Sequence, residues 1–96
     1  MHTSGELISR WFDDGVKEGA THLIVVCDTY DHVDYPVYTA GPEETVKKYL
    51  EYVNGGNMQR VMEVYDLRLS KSYQLAETRA FHLPHVPGPR FSMRGS

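Results

Sequence analysis

The chain has 96 residues, ten basic against thirteen acidic side chains, and a formal charge of −3. That length holds one domain, and 41% apolar with 24% charged content is ordinary globular usage, which excludes collagen-like, mucin-like and wholly disordered chains. One cysteine excludes an internal disulfide and a cysteine-rich zinc module, and the mild acidity leaves no cationic footprint for nucleic acid.

The first predicted element runs from Thr3 to Gly19. Thr3 and Glu6 stand at capping-box spacing, and Leu7, Ile8, Trp11, Phe12 and Val16 form one stripe on a 3.6-residue period. The stripe predicts a helix that carries Trp11 into the core. Gly19 supplies a C′ stop, while Gly15 weakens the helix by about 1 kcal/mol relative to alanine. His22 to Asp28 is predicted as a strand, and the unbroken run Leu23–Cys27 places it centrally, with both faces covered. Tyr35 to Thr39 is a second strand, with Pro36 marking an edge strand or a strand start. Residues 29–34 connect the two.

Gly41-Pro42-Glu43-Glu44 opens a second helix, with proline at its first position and acids opposing the positive end of the dipole. Val46, Tyr49, Leu50 and Val53 mark its apolar face, and Asn54-Gly55-Gly56 ends it. Met58 to Leu67 reads as a third strand. Residues 70–80 are ambiguous: Ser70 as a cap, with Leu75, Ala76 and Ala80 on one face, favours a short helix. The competing strand would align Tyr73, Leu75, Phe81 and Leu83. Prolines at 84, 87 and 89 then forbid a regular element, so residues 84–96 are expected to be an extended, disordered tail. Met93-Arg94-Gly95-Ser96 looks like a vector-encoded end.

The order α-β-β-α-β-(α) predicts an α+β domain over residues 3–83, with a three-stranded, mainly antiparallel sheet packed by two helices. Seven tyrosines, several on strands, suggest an aromatic surface that a homodimer would cover. The longest apolar run falls far short of the roughly 20 residues that span a bilayer. The first residues lack the basic start and apolar stretch of a secretory signal, so a cytoplasmic location without membrane contact is expected.

Chemistry is densest from Cys27 to Tyr35, at the exit of the predicted central strand. Asp28, Asp31, His32 and Asp34 offer hard oxygen ligands and one nitrogen. Their spacing fits neither a calcium loop nor a helical histidine pair, and a polar hairpin whose aspartates cap turns explains them more simply. No metal site is assigned and no cofactor is implied. Asp28 directly after a buried strand, with His32 as partner, is the best acid–base pair, though no catalytic constellation is complete. Cys27 ends an aliphatic run, where burial would raise its pKa and leave it inert. His22 reads as a surface or capping residue, and His82 with His85 as polar tail rather than metal ligands. Lys47, Lys48, Arg60, Arg68, Lys71 and Arg79 could converge on a small anionic ligand, with tyrosines stacking on it.

The block from Gly19 to Tyr38 (ATHLIVVCDTYDHVDYPVY from Ala20 onward) and the block NMQRVMEVYDL from Asn57 to Leu67 are similar to a group of small uncharacterised bacterial and bacteriophage proteins. With the Ala80-Phe81-His82 neighbourhood, the resemblance spans most of residues 6–83. It implies a compact accessory protein of the kind mobile elements carry, and transfers no functional residue.

These readings lead to a non-enzymatic binding module that engages a protein partner or a small anionic ligand, with a phage-type inhibitor or sequestering protein as one form. Its expected surface comprises Asp28, Tyr30, Asp31, His32, Asp34, Tyr35 and Tyr38. The alternative is a small metal- or acid–base-dependent enzyme that uses the loop from Asp28 to Asp34.

Overall fold

The computed structural model describes residues 5–54 and 58–84. The elements are α1 (Gly5–Lys17), β1 (His22–Asp28), β2 (Val33–Thr39), α2 (Pro42–Asn54), β3 (Gln59–Asp66) and α3 (Lys71–Leu75). The strands form one antiparallel sheet in the order β2-β1-β3. The fold is therefore α+β with the expected element order. Thr3, Gly55, Gly56 and the tail from His85 onward lie outside the described residues.

β1 is central because both its faces are apolar. Leu23 and Val25 point toward α1 and join Ile8, Phe12, Tyr65 and Leu67. Ile24 and Val26 point the other way and join Val64 beneath α2. Strand alternation sends successive side chains to opposite faces, so an unbroken aliphatic run needs a cover on each side.

α1 ends as Gly19 requires. Gly19 has φ +83°, its N–H donates to Val16 O at 3.1 Å, and the Ala20 N–H donates to Gly15 O at 2.9 Å. This is a Schellman closure, which satisfies two carbonyls of the last turn. The buried face differs from the sequence stripe. Ile8 and Phe12 are buried, Trp11 is half-buried at the margin, and Val16 is half-exposed.

β2 begins two residues earlier than expected, at Val33, so only residues 29–32 turn the hairpin. Pro36 pairs with Val25 on this edge strand. A β-bulge in β3 sets Glu63 opposite Val25 and Val61 opposite Val26, leaving Met62 unpaired and packed toward α1.

α2 starts where Pro42 and the acids place it. The Thr45 N–H and hydroxyl both donate to Gly41 O, and the Ala40 N–H donates to the Glu44 carboxylate at 2.7 Å. Its sheet-facing side is rotated from the expected one. Thr45 is buried and Tyr49 and Tyr52 pack on the sheet, while Leu50 and Val53 are exposed. The buried Thr39–Thr45 hydroxyl bond pulls the helix around, because a polar contact under the sheet edge must be satisfied.

Residues 70–80 resolve as a short helix followed by a turn and bends. Ser70 caps α3 by accepting from the Tyr73 N–H. Phe81 then forms a parallel bridge to Val64, with the Val64 N–H donating to Ala80 O at 3.0 Å and the His82 N–H donating to Val64 O at 2.8 Å. No described helix is long and apolar enough to cross a membrane.

Candidate functional site

The hairpin end of the sheet is shaped by Asp28. Its Oδ1 accepts from the Tyr30 N–H at 2.9 Å and the Asp31 N–H at 3.4 Å. The His32 N–H donates to Asp28 O at 2.6 Å, with His32 itself at φ 59°. Aspartate suits this place because its short carboxylate reaches the backbone two residues on. Thr29 ties the turn to the start of β3 by donating its N–H to Met58 O at 2.7 Å.

Three large apolar side chains are exposed at this end of the sheet. Tyr30 is 72% exposed, Val33 54% and Met58 59%. Asp31 and His32 are exposed beside them. Among the described residues, no three His, Cys, Asp or Glu side chains are grouped to hold a metal ion.

The seven expected site residues do not share one surface. Asp28, Tyr30, Asp31 and His32 form the turn. Tyr35 belongs to the α2 side, where Gln59 Nε2 donates to its hydroxyl at 2.6 Å. Burial and the neighbouring Tyr52 hold its pKa above the usual phenol value. Tyr38 lies on the opposite face and donates its hydroxyl to Trp11 O at 3.0 Å. Burial, then Asp14 and Glu18, push its pKa up as well. Residues 35 and 38 have opposite parity along one strand, so no single ligand face includes both rings.

Asp34 also faces α1, and there it belongs to a row that crosses all three strands. Cys27 pairs with Asp34 on one side and Arg60 on the other. Paired residues point to the same face, so carboxylate, thiol and guanidinium lie side by side. Burial, then the hydrogen bond to Asp34, push the Cys27 thiol up, away from nucleophilic use. Beyond Ile8 this face opens into a cleft of about 380 Å³, with Val25 and Met62 in its floor and Asp34, Arg60, Glu63 and Arg79 around it.

Sequence reading missed this cleft. Arg60 and Glu63 are three residues apart on a strand, and only the bulge at Met62 brings both to one face. Of the six basic residues, Arg60 and Arg79 line the cleft, and the others do not join them. Lys71 pairs with Asp13, Arg68 with Asp66 and Lys48 with Glu51. Arg79 donates to the carbonyls of Met62 and Val61 and stacks 4.7 Å from the Phe81 ring centroid.

His22 is wholly buried rather than a surface residue. Its Nδ1 lies 2.8 Å from Thr21 Oγ1 and its Nε2 3.7 Å from Asp66 Oδ2. His82 pairs with Glu77 at 2.8 Å, and His85 lies outside the described residues. Comparison with protein-family models, with characterised proteins and with solved structures gave no match.

Proposed function

We propose that this chain is a small binding module that engages a protein partner through the hairpin end of its sheet. The observation that carries the reading is the exposure of Tyr30, Val33 and Met58 at this end of the sheet, where the Thr29–Met58 backbone hydrogen bond ties the turn to the start of β3. Exposed apolar groups rimmed by polar ones mark contact surfaces more often than catalytic ones, and a rigid tyrosine is a common anchor of binding energy. Asp31 beside the trio favours a partner that offers basic groups around an apolar pocket.

The acid–base alternative receives less support. The Asp28 carboxylate is occupied by two backbone N–H groups of its own turn. A group so engaged orders the loop and is poorly placed to take a substrate proton. An accessory role, as the resemblance to small phage and bacterial proteins implies, is in keeping with a binding module.

Tyr30→Ser combined with Met58→Ser tests the proposal in a pull-down from extract of cells that carry the protein. The intact chain should retain a discrete partner, and the double variant should bind it at least about tenfold more weakly. Both changes are on the surface, so unfolding free energy should stay within about 0.5 kcal/mol. Retention that survives the double variant, or no specific retention by the intact chain, refutes the reading. Light scattering of the two proteins shows whether the partner is a second copy of this chain.

A further inference from the structure

The cleft on the α1 face is separate from the hairpin end, and its lining has a chemistry of its own. Its floor is apolar, from Ile8, Val25 and Met62. Its rim is charged with both signs. Asp34 and Arg60 stand on the two outer strands, each opposite Cys27, which puts their backbones two strand spacings apart, about 10 Å. Glu63 lies one row further in, opposite Val25.

The two guanidinium groups differ in what they do. Arg79 is held against the carbonyls of Met62 and Val61 and over the Phe81 ring. Those carbonyls flank the bulge on the outer edge of β3, so Arg79 seals that edge. Arg60 is exposed and makes no ion pair with a described residue. Glu63 retains acceptor capacity: it accepts from the Tyr65 hydroxyl at 2.8 Å, while a carboxylate offers about four lone-pair sites.

We propose that this cleft binds a small zwitterion with an apolar body, of the size and charge pattern of an apolar α-amino acid. Arg60 would take its carboxylate, and Glu63 its ammonium. The reason is desolvation. A ligand that fills the cleft strips water from charges of both signs, and each stripped charge costs free energy unless the ligand supplies its opposite. A neutral apolar ligand supplies neither charge. A simple anion leaves Glu63 facing its apolar part, and a simple cation leaves Arg60 unmatched. A volume of about 380 Å³ is at the lower end of small-ligand sites.

The experiment is an amide NMR titration of the full chain with leucine, N-acetyl-leucine (no ammonium) and leucinamide (no carboxylate). Arg60→Met and Glu63→Gln serve as variants. Leucine should give saturable shifts at Val25, Met62 and Arg79, with residues 30–33 unmoved. Each derivative should bind about tenfold more weakly than leucine, as should leucine to Arg60→Met. Glu63→Gln should reduce the preference for leucine over N-acetyl-leucine. No saturable shift, equal binding of all three compounds, or undiminished binding to a folded Arg60→Met overturns the proposal. Because the shifts are read at the cleft, its failure leaves the hairpin-end reading intact, and the converse holds.

Discussion

His22 is fully buried, and its Nε2 has no hydrogen-bond partner among the described residues. Burial lowers its pKa below 6.5, against the partial pull of Asp66 and with help from Arg68 and His82. The unfolded chain therefore takes up this proton first as pH falls through 6.5, and stability declines until the lower folded pKa is reached. Asp66 acts in the same direction at lower pH. Burial raises its pKa, but the hydrogen bonds from Arg68 outweigh this and leave it below 3.8. Its contribution is present above 3.8 and is lost as pH drops through the folded value. Thermal melts should be flat between about pH 7 and 8, fall steadily below 6.5, and fall again at alkaline pH, where the thiol and phenols whose pKa values folding raises ionise first in the unfolded chain. His22→Gln, which keeps a neutral side chain, should flatten the fall between about pH 6.5 and 5. An unchanged slope in that variant would show that another group titrates. Gly15 poses a contest of known terms. A Cβ there would stand 2.6 Å from Leu67 Cδ1 and 2.9 Å from Tyr38 Cε1, and the Tyr38 ring is anchored to Trp11 O. Gly15→Ala gains about 1 kcal/mol of helix propensity and loses about 1–3 kcal/mol to overpacking. A net loss of about 1 kcal/mol, seen as a lower denaturant midpoint at unchanged slope, is expected.

A five-residue helix such as α3 is too short to persist on propensity alone. Gln74 holds it. Buried at 1% exposure, it accepts from the Asp66 N–H at 2.8 Å and donates to Asp66 O at 2.8 Å and Ser70 O at 3.1 Å. Gln74→Leu keeps the volume but leaves buried backbone groups unpaired, at about 1–3 kcal/mol each. Chemical denaturation should register that loss, and faster hydrogen exchange in residues 71–75 should locate it. β2 has a different weakness, since edge strands recruit other chains. Pro36 sits in the middle of this edge and withholds one donor. Pro36→Val restores the donor and raises β-propensity, so light scattering should rise with concentration in the variant more than in the parent. Equal scattering would mean that other features protect the edge.

Across the whole molecule, the two layers over the sheet are unequal. α1 buries Ile8, Phe12 and Gly15 against a core that includes Leu23, Val25, Tyr65 and Leu67. α2 buries only Thr45 and leaves Leu50 and Val53 at 43% and 50% exposure. Local opening follows the apolar contact that must be broken, so α2 should exchange its amides faster than α1 or β1. Hydrogen-exchange mass spectrometry of residues 42–54 against 5–17 and 22–28 decides the point. Equal protection would indicate a single cooperative unit.

The sequence by itself determined the elements and their class. The stop at Gly19, the proline-led start of α2, the aliphatic run of β1 and the edge mark at Pro36 are local signals, set by backbone sterics and side-chain periodicity within a few residues. The turn-forming role of Asp28 was legible for the same reason. Only the tertiary structure decided which residues share a surface. Tyr35 and Tyr38 separated because a strand alternates its faces, His22 went inside because the sheet closed over it, and the α2 face rotated toward Thr39. Arg60, Asp34 and Glu63 reached one cleft through cross-strand register and a single bulge. Register depends on pairings between segments distant in the chain, and a local pattern holds no record of them.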